Sequence, residues 1–434
     1  MSDRFRHDAR AIWDAAIMAV RPEPLMANVV QTRLADVIAA ARRILVVGGG
    51  KAGGAMAAGL ETALGDHTAK VEGIVNVPEG PQPATLRVRL HPARPAASNH
   101  PTVAGVEGVE RMLTLVGNAG SDDLVLCLLS GGGSALLPAP ADGISLEDKQ
   151  AVTRLLHACG ATIGEMNAVR KHLSRMKGGG LATASRAGRL VSLVISDVVG
   201  DPLDVIASGP TAADPTTFTD SLDVLRRYAL LDRAPKAVRD RLLRGAAGDL
   251  PETLKAVPTV VENIVVGTNA LALASAAIQA EDRGYRILHL GSFIEGDAVA
   301  VAQVLAGIAR EPRSAPTCIL FGGETTVMLP SEHGSGGRNT EFVLAAGLRL
   351  ATTCAMPWVV LSGGTDGEDG PTDAAGALAD AGTFERAKAL GLDARDALRR
   401  HDSYTFFSAT GDLIKTGLTQ TNVMDVGVIL VGPL

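Results

Sequence analysis

The chain has 434 residues, 46% hydrophobic, 20% charged and only 3% aromatic, with a formal net charge of −6. That is enough for two domains whose cores are filled by small aliphatic side chains, a composition that suits close helix–sheet packing in an α/β fold. It excludes a nucleic-acid polycation, and no run approaches the roughly 18 apolar residues of a membrane helix.

In chain order, the apolar spacing predicts a helix over residues 8–20, stopped by Arg21-Pro22, and a second over 34–41. Residues 44–47 (I-L-V-V) read as a short buried strand, followed by Gly48, Gly49, Gly50, Gly53 and Gly54, with Lys51 among them, and then an opening helix over 52–64. Strand, glycine turn and helix N-terminus make an anion seat, because free N–H groups and the helix dipole point at it. Gly48, Gly50 and Gly53 also satisfy G-x-G-x-x-G, but a dinucleotide site wants an acidic residue about 20 positions on, at the next strand tip. That strand, 73–77, carries Asn76 there, which counts against NAD; the Walker-A pattern is absent.

A Pro-rich loop over 91–102 is of the kind that often carries function, and 103–116 is helical. Residues 124–129 form a second buried strand ending in Ser130-Gly131-Gly132-Gly133-Ser134, the Lys51 arrangement again. Strand tips of one parallel sheet face one crevice, and two glycine loops able to form backbone nests favour a phosphate ligand. Ser145 and Asp148 form a capping box on a helix over 145–160. Residues 166–181 carry Arg170, Lys171, His172, Arg175 and Lys177; read as one helix, they place Arg170, Ser174 and Lys177 on one face, as support for an anion. A strand over 190–195 ends at Asp197, where catalytic residues of open α/β sheets sit. Residues 222–243 read as helix and 245–258 as a linker.

A second α/β run starts with a strand over 260–266, then Asn269 as cap of a helix, a strand over 285–290, a helix over 297–310 and a strand over 318–322. The loop G-S-G-G-R-N-T (334–340) leads into a helix over 341–350. Arg338 stands at its start, where the dipole favours an acid, so a cation there calls for a local anion. A strand over 358–361 ends in S-G-G-T-D-G-E-D-G-P-T-D; Asp369 and Asp373 read best as turn residues. Residues 405–408 and 426–431 are predicted strands. The expected domains are 1–245 and 246–434. The charged N-terminus and the scattered Cys127, Cys159, Cys318 and Cys354 point to a cytoplasmic protein with free thiols, binding neither nucleic acid nor membrane.

These residues add up to a resemblance across nearly the whole chain. It rests on G-G-G-K-A-G-G-A-M, L-S-G-G-G-S-A-L-L, N-A-V-R-K-H-L-S-R-M-K-G-G, S-D-V-V-G-D-P-L-D-V-I-A-S-G-P-T, F-G-G-E-T-T-V, G-G-R-N-T-E-F, S-G-G-T-D-G-E-D-G-P-T-D-A-A-G and T-N-V-M-D, in that order. The sequence resembles the type II glycerate kinase or MOFRL family, whose members often carry the name hydroxypyruvate reductase. Gln420 stands where many relatives have Gly.

The resemblance implies ATP-dependent phosphorylation of D-glycerate at the 2-hydroxyl, giving 2-phosphoglycerate, with catalysis on Lys51 and Arg338. It implies two α/β domains, the first Rossmann-like with a mainly parallel sheet, and an active site in the interdomain cleft. On that footing Gly49, Gly50 and the loop Ser130, Gly131, Gly132, Gly133 and Ser134 would hold nucleotide phosphates. Asp197 and Asp366 are the candidates for Mg²⁺, or for orienting the attacking hydroxyl. Arg338, Arg170 and Lys177 are the candidates for the glycerate carboxylate. A monomer or homodimer is expected. The alternatives are an NAD(P)H-dependent hydroxypyruvate reductase and a non-catalytic phosphate-ligand sensor.

Overall fold

The computed structural model describes residues 2–433 except Ala97. Six strands make the first sheet: β1 (Arg43–Gly49), β2 (Val71–Pro78), β3 (Val88–Arg94), β4 (Asp123–Leu129), β5 (Arg189–Ile195) and β6 (Val261–Gly267). Their order is β3-β2-β1-β4-β5-β6, and β3, β2, β1, β4 and β5 run parallel. All of β4 is buried and β1 nearly so, the unbroken apolar pattern of strands covered on both faces. The direction of winding reverses between β1 and β4. In a doubly wound sheet that is where the crevice opens beyond the strand C-termini, and both glycine loops stand there.

The second sheet contains β7 (Arg286–His289), β8 (Ile294–Asp297), β9 (Thr317–Thr326), β10 (Trp358–Gly364), β11 (Gly376–Asp380), β12 (Leu413–Ile414) and β13 (Asp425–Val431). Its order is β12-β11-β10-β13-β9-β7, with β8 also on β9; β7 and β8 run parallel to β9 and the other pairs are antiparallel. Because β13 is antiparallel to both neighbours, its first residue, Asp425, pairs with Gly323 near the end of β9 and with Gly364 at the end of β10. The chain falls into two compact units, Pro22–Val266 and the N-terminal stretch to Arg21 together with Gly267 onward. No described helix is long and apolar enough to cross a membrane.

Several elements differ from the sequence expectation, each for a local reason. The helix expected over 166–181 ends at His172. Beyond it Ser174 bridges to Pro140, and Gly178 and Gly179 take φ of 57° and 78°, so Arg170 and Lys177 do not share a helical face. Residues 222–243 are two helices, Phe218–Arg227 and Lys236–Ala246, separated around Ala229 (φ 52°) and Pro235. The strand over 260–266 is β6, and its place beside β5 puts it in the first sheet. Residues 405–408 lie in the helix Ser403–Thr410, whose Phe406 and Phe407 fill the second core. The helix cap before residue 270 is Thr268, not Asn269. The division also differs from 1–245 and 246–434. The first helix, Ser2–Ala19, is held to the second unit by Asp8 contacts to Arg283 (2.6 Å) and Tyr285 (2.7 Å).

Candidate functional site

The two glycine loops of the first unit are interlocked. Lys51 N–H donates to Gly131 O at 2.7 Å, Gly50 N–H to Asn76 O at 3.3 Å, and Ala52 N–H to Ser130 Oγ at 3.0 Å. A Cβ on Gly48 (φ 139°) would come 2.0 Å from Leu128 O, so only glycine lets β1 lie this close to β4. Two of these amides therefore hold the second loop and the third holds β2. That counts against a dinucleotide here, because the Gly50, Lys51 and Ala52 N–H groups are engaged within the protein. Asn76 is fully buried, donating to Gly105 O (3.0 Å) and Leu136 O (2.7 Å). Gly49 and Gly50 thus support the neighbouring loop through packing.

The second loop is where side chains converge. Gly132 is left-handed (φ 76°), and a Cβ there would lie 3.5 Å from Lys51 Cγ and 3.4 Å from Arg94 Nη2. Gly133 opens the short helix Gly133–Leu136. Ser134 receives two cations: Lys177 Nζ donates to its O (2.8 Å) and Oγ (2.6 Å), and Arg170 Nη2 to its Oγ (2.5 Å). Ser208, in a backbone turn with left-handed Ala207 and Ser208, closes the cluster on Ser134 Oγ at 2.9 Å and Asn167 Oδ1 at 3.3 Å. Burial lowers the pKa of Arg170. Burial, with Arg170, Lys149 and Lys171 nearby, holds the Lys177 ammonium well below the usual lysine range. Tertiary contact through Ser134, not helical periodicity, brings Arg170 and Lys177 together. Asp197 lies two residues past the end of β5, half-buried, in a turn where Ser196 Oγ accepts from Val198 N–H at 3.4 Å.

The second unit builds a different constellation at the ends of β9 and β10 and the start of β13. Arg338 is the first residue of the helix Arg338–Thr353. Its Nε donates to Asp425 Oδ2 at 2.6 Å, its Nη2 to Asp425 Oδ1 at 3.0 Å and its Nη1 to Glu324 Oε1 at 2.9 Å. The anion that a cation at this helix end calls for is thus supplied within the chain. Burial works against the Arg338 charge, but Asp425 and Glu324 outweigh it and hold its pKa above the ordinary value. Burial raises the pKa of Glu324, with Asp425 and Asp366 adding to the rise against the pull of Arg338. Asn339 donates to Asp425 Oδ1 at 2.9 Å and accepts from Ser362 Oγ at 2.6 Å. Glu324, Thr325, His333, Arg338, Glu341 and His401 border a cavity of about 460 Å³.

Asp366 lies just past β10 and takes the Glu368 N–H on Oδ1 at 3.2 Å. Asp369 caps the Arg338 helix, accepting from Asn339 N–H (2.9 Å), Thr340 N–H (2.8 Å) and Thr340 Oγ1 (2.8 Å); Asp373 bonds Tyr404 (2.7 Å) and Lys415 (2.8 Å) at the surface. Both are structural residues. Glu324, Asn339 and Asp425 join the candidate site through their contacts with Arg338 and with one another, and sequence reasoning gave them no role. The signal for Asp425 was present: an acid opening an otherwise apolar strand.

Among the described residues no group of three or more His, Cys, Asp or Glu is arranged to hold a metal ion.

Two family models match the chain, a domain of unknown function (DUF4147) over residues 8–243 and the MOFRL family over 317–425. A relative from Agrobacterium vitis, 42% identical over 98% of this chain and 94% of its own length, bears a provisional hydroxypyruvate reductase name. The glycerate 2-kinase of Pyrococcus horikoshii is 38% identical over 76% of each chain. The crystal structure of glycerate kinase from Thermotoga maritima superposes with a TM-score of 0.86 at 34% identity, covering 99% of this chain and all of the other.

Proposed function

The chain belongs to the MOFRL family of glycerate kinases, and on that premise we propose that it transfers the γ-phosphoryl of ATP to the 2-hydroxyl of D-glycerate, giving 2-phosphoglycerate. The observation that carries the reading is the pair of interlocked glycine loops at the switch point of the first sheet. One presents Lys51, and the other is flanked by Arg170 and Lys177.

Phosphoryl transfer needs positioning and charge neutralisation more than covalent chemistry. Lys51 is assigned to neutralise the transferring phosphoryl. The loop Ser130–Ser134 is assigned to the nucleotide phosphates, with Arg170 and Lys177 as its cationic side. Arg338 is assigned to orient the acceptor: three of its five N–H groups are engaged by Asp425 and Glu324, which leaves two for a ligand. Asp197 and Asp366 are the carboxylates assigned to Mg²⁺ or to the attacking hydroxyl, and Glu324, with its raised pKa, joins them as a proton acceptor. Asp366 fits a hard cation, because it adds to the negative charge that raises Glu324. Mg²⁺ held there by Asp197 or Asp366 would supply positive charge against the phosphate oxygens.

The test is a phosphorus NMR time course with ATP, Mg²⁺ and D-glycerate and no nicotinamide. A phosphomonoester peak matching 2-phosphoglycerate is expected. A 3-phosphoglycerate peak keeps the kinase and discards the position. No peak, with NADH consumed on hydroxypyruvate in a parallel tube, gives the reductase reading instead.

A further inference from the structure

The first unit holds a cavity of about 240 Å³ beside the second glycine loop, bordered by Ser134, Lys149, Arg154, His157, Arg170 and Lys177 among others, and none of the described residues lining it is acidic. Lys149 stands on the helix Leu146–Ala158, whose start is fixed by the Ser145–Asp148 capping box. It is 8% exposed, and its buried Nζ has no hydrogen-bond partner among the described residues. Lys177 is 2% exposed, and among the described residues its Nζ bonds Ser134 and Ser208 oxygens. Lysines are almost never buried unless paired. Here two are buried beside an arginine, and the nearby carboxylates Asp204 and Asp214 are engaged by Lys171 instead.

An uncompensated cation cluster that opens into a cavity is complementary to an anion of several charges. A carboxylate of one charge would leave most of it unbalanced. The volume lies below the roughly 300–1,000 Å³ of pockets that take a whole organic ligand, so the cavity suits part of a larger molecule. We propose that it is a polyphosphate site, with Lys149 as the innermost ligand and Arg170 and Lys177 binding the same anion across Ser134. Naming the polyphosphate as the tail of ATP rests on the kinase reading. The assignment also moves Arg170 and Lys177 from the glycerate carboxylate to the phosphates, because both are bonded to the phosphate loop itself.

The experiment is calorimetric titration of the full chain with inorganic tripolyphosphate, without Mg²⁺, beside separate titrations with 2-phosphoglycerate and D-glycerate. Tripolyphosphate is expected to bind once per chain, more tightly than either, and to be displaced by ATP. Lys149→Met, which removes a buried charge and so folds at least as well, is expected to weaken it at least tenfold. Absent binding, binding unchanged in that variant, failure of ATP to displace it, or tighter binding of 2-phosphoglycerate would each overturn the assignment. Phosphoryl transfer by NMR without tripolyphosphate binding removes the site and keeps the kinase. Binding as expected without phosphoryl transfer removes the kinase and keeps the site.

Discussion

Arg338 and Asp425 form a bidentate pair, Nε to Oδ2 at 2.6 Å and Nη2 to Oδ1 at 3.0 Å, with Glu324 on the remaining arm. The pair fixes the plane of the guanidinium and thereby the direction of its two uncommitted N–H groups. Lysine keeps the charge but lacks the planar fork. Arg338→Lys is therefore expected to lower kcat by roughly a hundredfold with unchanged circular dichroism. Near-normal turnover in that variant would remove Arg338 from the chemistry.

Lys51 contributes its backbone to the fold, and its side chain is the one we assign to the transferring phosphoryl. The Lys51 N–H bond to Gly131 O survives any side-chain change. Lys51→Ala is expected to stay folded while losing roughly 10²–10³ in kcat, the scale of one lost electrostatic contact in a transition state. Phosphorus NMR rates beside a thermal melt check both halves.

Gly48 sets the distance between β1 and β4. With φ at 139° and a would-be Cβ 2.0 Å from Leu128 O, Gly48→Ala must part the two strands or strain the turn. A loss of roughly 2–5 kcal/mol in urea unfolding is expected, from overpacking and backbone strain together. A variant within experimental error of the wild type would contradict the packing described for this loop.

Burial, with Arg170 and Arg241 nearby, lowers the Lys149 pKa to about 7. Arg154, His157 and Lys177 also border its cavity. The folded state therefore binds fewer protons than the unfolded one between about pH 7 and the ordinary lysine value, and the charged form costs stability below that window. Lys149→Met is expected to be more stable than the wild type near pH 6, with the gap narrowing as pH rises to about 9. A gap that widens with pH would mean the ammonium is paired.

Gln420 adopts φ of 65°, a left-handed conformation that glycine takes freely. Gln420→Gly relieves that strain but loosens the unfolded chain, two terms of similar size. The net change is expected to stay within about 1 kcal/mol of zero, measured by urea unfolding, with catalysis unaltered.

Much of this was legible in the chain itself. Apolar runs such as 124–129 identify buried strands because a strand covered on both faces tolerates nothing else, and a glycine cluster directly after one marks a close approach. Lys51, Asp197, Arg338 and Asp366 were nominated as site candidates from their places at strand tips and a helix start, and those places are as read. Local capping was legible too, as Ser145 and Asp148 form their predicted box. Asp369, read as a turn residue, serves as a cap.

What the sequence by itself determined is the local element types, the glycine turns and the membership of a family. What only the tertiary structure decided is which side chains meet. Arg170 and Lys177 meet on Ser134, from a helix end and a loop. Arg338 finds its anions 14 residues before it and 87 residues after it, because antiparallel β13 returns Asp425 to the ends of β9 and β10. Lys149 looks like any lysine on an amphipathic helix until the surrounding helices bury it. Periodicity reports which face of an element turns inward; it carries no information about what stands opposite, and the charge balance of a site depends on that.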